Sequence, residues 1–164
     1  MEIAGGGDAI TKQKFKDFKL HIEFWIPVLP PEKTGQDRGN SGVYLQSRYE
    51  VQVLDAWNNP TYEMGSCADI YKKKAADKNM AKQPGHWQSY DITFRAARFD
   101  ATGKKTDNAR VSLVWNGTKV HDNVEIDGPT GGGDSENAEP GTIRLQDHGH
   151  KDRYRNIWIV PSAS

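Results

Sequence analysis

Every second residue between positions 18 and 26 is apolar: Phe18, Leu20, Ile22, Phe24 and Ile26 alternate with Lys19, His21, Glu23 and Trp25. A period of two marks a strand with one buried face. Pro27, Pro30 and Pro31 end it, because proline gives no donor to a ladder. The same period returns at Tyr49, Val51 and Val53 against Glu50 and Gln52, at Gln88, Tyr90, Ile92 and Phe94, and at Val111, Leu113 and Trp115. Asn116-Gly117 predicts a type I′ hairpin turn leading back through Val120, Val124 and Ile126. Further strands are expected at 43–45, 142–147 and 154–160. The sum predicts an all-β fold, a two-sheet antiparallel jelly-roll sandwich.

A chain of 164 residues suits one domain, taken as 1–164. Its 22 basic and 22 acidic residues balance, and no basic tract with interleaved aromatics occurs, so neither nucleic acid nor membrane is expected as a partner. No apolar run approaches a membrane span, and the N-terminus carries no signal-peptide core. Cys67, the single cysteine, reads as a small packed residue. Between 58 and 85 no period holds. That long excursion is expected to be a binding loop or lid, with a helical turn near 75–80. The Lys72 to Lys74 run reads as solvated surface. The glycine-rich stretch 128–133 lacks the strand and helix of a phosphate cradle and reads as a flexible loop.

Polar residues concentrate on one face of two predicted strands, Glu50 and Gln52 on the first and Arg144, Gln146 and His148 on the second. If the strands share a sheet, a carboxylate, an imidazole, a guanidinium and two amides form one floor able to bind sugar hydroxyls and move protons. Glu50 and Asp55 are an odd number of positions apart, so a β-bulge after Gln52 is needed to bring Asp55 beside Glu50. The spacing Glu-x-Gln-x-x-Asp then resembles the Glu-x-Asp-x-x-Glu strand of laminarinase-type glucanases, with an amide in the middle and a shorter last carboxylate. His148 reads as an acid, a base or a hydroxyl partner rather than a metal ligand. Trp57 is placed to stack on a sugar ring, whereas Trp87 opens an alternating strand and is expected in the core.

Five ordered motifs carry a broader likeness: Arg38-Gly39-Asn40-Ser41-Gly42-Val43, Arg48-Tyr49-Glu50-Val51-Gln52-Val53-Leu54-Asp55, Pro84-Gly85-His86-Trp87-Gln88-Ser89-Tyr90-Asp91-Ile92, Trp115-Asn116-Gly117, and Leu145-Gln146-Asp147-His148-Gly149, followed by Tyr154-Arg155-Asn156-Ile157-Trp158. From about residue 10 to 161 the chain resembles the 3-keto-disaccharide hydrolase domain family. The resemblance implies a concanavalin A-like jelly roll and a hydrolase acting on glycosidic bonds of 3-keto-glucosides or 3-keto-disaccharides, with no cofactor and a carbohydrate partner. It also implies a bacterial protein exported to the periplasm or beyond. Against that resemblance the usual opening segment is expected to be lacking, and the sheet edge this would leave open points to a partner strand, a second copy or a trimmed chain. His86 stands where the family commonly has glutamate. Elimination is the expected chemistry, with Glu50 or His148 as base, Asp55 or the other of that pair as acid, and Arg144 or Arg155 stabilising the enolate. Asn40, Gln52 and Gln146 would orient hydroxyls. The alternative on the same fold is a non-catalytic, lectin-like carbohydrate-binding module.

Overall fold

The computed structural model describes residues 1–162, in which the alternating segments become twelve strands. They are β1 (Glu2–Ile3), β2 (Ala9–Ile10), β3 (Phe18–Trp25), β4 (Ser41–Leu45), β5 (Tyr49–Val53), β6 (Trp87–Arg95), β7 (Arg98–Phe99), β8 (Lys105–Asp107), β9 (Ala109–Trp115), β10 (Thr118–Ile126), β11 (Arg144–Leu145) and β12 (Asp152–Pro161). One sheet has the order β1-β12-β3-β6-β9-β10, the second has β2-β11-β4-β5, and β7-β8 is a small ribbon. All pairings between named strands are antiparallel. The result is a β-sandwich.

The period of two decides which side chains lie between the sheets. Phe18, Leu20, Ile22 and Phe24 from β3, with Tyr90, Ile92 and Phe94 from β6, meet Val43, Leu45, Val51 and Val53 of the smaller sheet, and all are buried. Two phenols cross this core to polar partners: Tyr90 donates to the Gln52 carbonyl at 2.7 Å, and the Tyr154 hydroxyl lies 2.7 Å from Ser41 Oγ. Without such partners a buried hydroxyl costs about 1–3 kcal/mol. They tie the larger sheet to the two strands that carry the polar floor.

Asn116 and Gly117 have φ of 50° and 83°, as the predicted type I′ turn requires. The turn joining β4 to β5 uses Gln46 and Ser47 at φ of 54° and 56°, with neither glycine nor asparagine. Gln46 Nε2 holds it by donating 2.9 Å to the Phe15 carbonyl, and Ser47 Oγ lies 2.7 Å from Thr142 Oγ1. The register beyond it is unbroken, with Leu45 opposite Tyr49, Tyr44 opposite Glu50, Gly42 opposite Gln52 and Ser41 opposite Val53. The bulge expected after Gln52 is therefore absent.

The 58–85 excursion holds no helix, contrary to the turn expected at 75–80. Side chains take the backbone groups a helix would need. Asp69 accepts from the Ala76 and Ser66 amides, and Asn79 Oδ1 accepts from the Ala81 amide. The excursion instead lies along β5, where the Gln52 backbone amide donates to the Asp69 carbonyl at 3.0 Å and the Tyr71 backbone amide donates to the Glu50 carbonyl at 3.1 Å. Trp87 also departs from expectation. Gln88, Tyr90, Ile92 and Phe94 occupy the inward phase, so Trp87 faces out, half-buried under Arg155.

At one sheet edge β1 pairs only with Asp152 and Arg153 of β12. Beside the remainder of β12 an apolar crevice of about 190 Å³ opens between the sheets, lined by Ile10, Ile22, Ile143, Leu145, Ile157 and Ile159 among others.

Candidate active site

On the face of the smaller sheet turned away from the core, a cavity of about 290 Å³ is floored by Tyr44, Glu50, Gln52 and Gln146. Gln36 and Asn40 line it from the loop before β4, Tyr62 and Tyr71 from the excursion, Gly131 and Gly132 from the glycine-rich loop, and His148 from the segment after β11. Strand alternation explains the floor. With Val43, Leu45, Val51 and Val53 committed to the core, Tyr44, Glu50 and Gln52 must point the other way. The glycine-rich loop is tied down rather than loose. The Thr130 amide donates to the Arg48 carbonyl, Thr130 Oγ1 accepts from the Glu50 amide at 2.8 Å, and a Cβ on Gly133 would stand 2.1 Å from the Arg48 carbonyl oxygen.

Glu50 is 3% exposed. Burial pushes its carboxyl up to about 7, against the opposing pull of the Tyr44 hydroxyl and the Arg144 charge. Tyr44 lies 3.0 Å from Glu50 Oε2 and 3.0 Å from the Gly131 carbonyl, so its one proton has two acceptors. When Glu50 is ionised, Tyr44 donates to it. When Glu50 is protonated, Tyr44 can donate to Gly131 and accept from the carboxyl, so both protonation states find partners. The other carboxyl oxygen needs Gly42, where an added Cβ would stand 2.3 Å from Oε1.

Arg144 sits behind this pair instead of in the cavity lining. Its guanidinium lies 4.0 Å from the Tyr44 ring centroid, and Nη2 donates 2.5 Å to the Gly132 carbonyl. It acts on Glu50 through space and holds the phenol and the loop.

An amide network forms the adjoining wall. Gln52 Nε2 donates to Gln36 Oε1 at 3.1 Å, Gln36 Nε2 donates to the Gly65 carbonyl at 2.6 Å, and Asn40 Nδ2 donates to the Gln36 carbonyl at 2.8 Å. Gln52 Oε1 is left buried with no partner among the described residues. An unmade hydrogen bond of this kind costs about 1–3 kcal/mol, which a ligand hydroxyl would recover. Opposite, the Tyr62 and Tyr71 hydroxyls are 2.6 Å apart. Burial and the Tyr71 partner push the Tyr62 phenol up to about 12, so it stays protonated and able to donate.

The structure thus brings Glu50, Gln52, Asn40, Gln146 and His148 to one cavity and leaves four expected site residues out of its lining, Arg144 behind it and three others farther off. Asp55 is held by Arg38, with Oδ2 2.5 Å from Nε, while its Oδ1 accepts from the Trp57 amide. The β4–β5 ladder shows no bulge as far as Val53. Trp57 is 38% exposed and lies outside the cavity lining. Arg155 belongs to the other sheet, where Nε donates 2.6 Å to Glu23 Oε2. His148 is exposed at the rim, its ring stacked on His150 at 5.9 Å. His150 Nδ1 accepts from the Asn40 amide at 3.0 Å, which fixes this corner. Among the described residues no cluster of three or more His, Cys, Asp or Glu side chains has metal-binding geometry.

Tyr44, Tyr62, Tyr71 and Gln36 join the site without having been expected there. Tyr44 is accessible to sequence reasoning in principle, since a three-residue connection at 46–48 puts it opposite Glu50. Tyr62 and Tyr71 carry no local signal, because only the course of the excursion over β5 brings them there.

A family model described as 3-keto-alpha-glucoside-1,2-lyase-like domain matches residues 1–160. A Bacteroides thetaiotaomicron protein named 3-keto-disaccharide hydrolase is 28% identical over 186 aligned residues, covering 94% of this chain and 61% of the relative. The chain therefore spans about three-fifths of that curated relative's length. A crystal structure from Parabacteroides distasonis, provisionally named a glycosyl hydrolase, superposes with a TM-score of 0.87 at 40% identity, covering 95% of this chain and 68% of that one. A second Parabacteroides distasonis structure, also provisionally named a glycosyl hydrolase, is 23% identical with a TM-score of 0.64, covering 97% of this chain and 85% of that one, and it supports the fold alone.

Proposed function

Because the chain belongs to the 3-keto-alpha-glucoside-1,2-lyase-like domain family, we propose that its cavity cleaves 3-keto-glucosides by elimination, with hydration completing a net hydrolysis. The observation that carries this reading is Glu50. It is a buried carboxyl poised near neutrality, hydrogen-bonded by Tyr44 and facing a cavity otherwise lined by amides, phenols and one imidazole. A base is most effective when its pKa lies near the working pH.

A ketone at carbon three acidifies the proton on carbon two. Glu50 removes that proton, and the C–H electrons pass into the carbonyl to give an enolate. The enolate collapses to a double bond between carbons one and two, expelling the glycosidic oxygen, which takes a proton from His148. Water then adds across the double bond, hydroxyl to carbon one and proton to carbon two, to release the 3-keto sugar. The enolate oxygen needs donors, and the Gln146 side-chain amide has no protein partner among the described residues; the Tyr62–Tyr71 pair keeps a spare hydroxyl proton. Gln52 Oε1 would accept from a substrate hydroxyl.

The test is turnover of a 3-keto-glucoside by wild type and Glu50→Gln. A loss of about a hundredfold or more is expected for removal of the base. Binding of the sugar with no product from the wild type would leave a carbohydrate-binding module instead.

A further inference from the structure

We propose that the outer face of the larger sheet is a second, non-catalytic saccharide-binding surface, centred on the stacked rings of Trp158 and His21 and continuing to Trp87. It lies on the opposite side of the sandwich from Glu50. A register shift between Arg155 and Trp158 places Trp158 opposite His21. Their rings stack at 5.3 Å with 12° between planes. Both imidazole nitrogens are engaged, Nδ1 2.6 Å from Asp91 Oδ1 and Nε2 3.3 Å from Asn156 Nδ2. The imidazole is thus fixed in orientation, and the indole resting on it is 48% exposed. A rigid, exposed aromatic ring bordered by hydrogen-bonding groups is what the apolar face and hydroxyl rim of a pyranose require.

The surface extends along β6. Arg155 links Glu23 to Trp87, lying 3.9 Å from the indole centroid while bonded to the carboxylate. Hollows of about 360 Å³ beside Trp158 and about 270 Å³ beside Trp87 mark the two ends. Asp91 and Trp87 are four residues apart on β6, about 13 Å at the usual strand rise. That exceeds one sugar ring and suits an oligosaccharide. Charge favours a neutral one, since Arg155 pairs with Glu23, Arg153 with Glu2, Lys119 with Asp122 and His21 with Asp91, and the remaining cations of the two hollows are single lysines far apart, Lys19 at one and Lys82 at the other, rather than a continuous field that would select a polyanion.

The test follows the indole N–H resonances of the intact chain during titration with maltohexaose and with cellohexaose, a choice of glucans that rests on the proposed substrate class. Saturable shifts of the Trp158 and Trp87 signals are expected, unchanged in Glu50→Gln and weakened at least tenfold in affinity by Trp158→Ala. Cleavage of a 3-keto-glucoside by Trp158→Ala should match the wild type, which separates this surface from the cavity. No shift with either sugar, or shifts confined to residues around Glu50, would overturn the proposal. So would a wild-type dimer in sedimentation that Trp158→Ala converts to monomer, since the face would then be a self-association surface. The wild-type shifts decide the matter even if Trp158→Ala does not fold.

Discussion

Tyr44 and Glu50 stand opposite each other on β4 and β5, and the one proton of the Tyr44 phenol is shared between Glu50 Oε2 and the Gly131 carbonyl, each 3.0 Å away. The phenol stabilises the ionised carboxyl, opposing the burial that raises it to about 7. Tyr44→Phe removes this donor. A hydrogen bond to a charged group is worth about 1.5–3 kcal/mol, or roughly one to two pH units. The acidic limb of kcat/KM for a 3-keto-glucoside should lie near pH 7 in the wild type and move up by about one unit or more in Tyr44→Phe. A limb that stays in place would separate Tyr44 from the titrating base.

Gly42 makes room for Glu50 Oε1, which would stand only 2.3 Å from a methyl group added at that position. Gly42→Ala should swing the carboxylate out of the cavity and reduce kcat by about tenfold or more, because a misplaced base loses its alignment. The β4–β5 ladder remains available, so far-ultraviolet circular dichroism should be unchanged. Full activity in Gly42→Ala would mean that the carboxylate's observed position is not the working one.

Two buried carboxyls dominate one part of the stability profile. Glu50 and Asp152 are each raised to about 7, chiefly by burial, and neither Asp152 oxygen has a partner among the described residues. Their folded-state values lie above their unfolded ones, so the folded chain holds more protons between about pH 4 and 7. Stability from these groups is full below that range and is lost as pH rises through 7, by about 3–4 kcal/mol each. Asp37, Asp77 and Asp127 have lowered values and work in the opposite direction, so the informative quantity is the difference between variant and wild type. In urea unfolding, Glu50→Gln and Asp152→Asn should each gain stability relative to wild type between pH 4.5 and pH 8. A gain that fails to grow with pH would mean the carboxyls are ionised freely in the folded state.

The fold is legible wherever one period persists, since Phe18 to Phe24 and Gln88 to Phe94 can bury only one face. Legibility fails where tertiary bonds replace local ones. The excursion is pinned by Asp69 and by β5, and Trp87 faces outward because its neighbour Gln88, a polar residue, takes the inward phase. In the site, Glu50, Gln52, Gln146 and His148 can be found from strand faces alone. Arg155 cannot be placed that way, because the motif that contains it lies in the other sheet, and Tyr62 and Tyr71 depend on a path that no periodicity encodes.

Asp55 provides the sharpest test of how far a motif can be trusted over geometry. The Glu-x-Gln-x-x-Asp spacing assigns it to catalysis, yet its carboxylate is 1% exposed, lies 2.5 Å from Arg38 Nε and accepts from the Trp57 amide at 3.0 Å. These bonds fix the chain where it leaves β5 and enters the excursion. Asp55→Asn leaves the Arg38 guanidinium without its counter-charge, a loss of about 3 kcal/mol for a buried pair, or a fall in Tm of about 10 °C in a domain of this size. Per folded molecule, turnover should change only a few-fold, far less than in Glu50→Gln. The alternative gives the reverse pattern: if Asp55 protonates the leaving oxygen, Asp55→Asn will lose about a hundredfold in kcat with the acid-transfer limb of the pH profile gone, whatever happens to Tm. Measuring melting and turnover on the same preparations separates a residue that shapes the entrance to the excursion from one that meets the substrate.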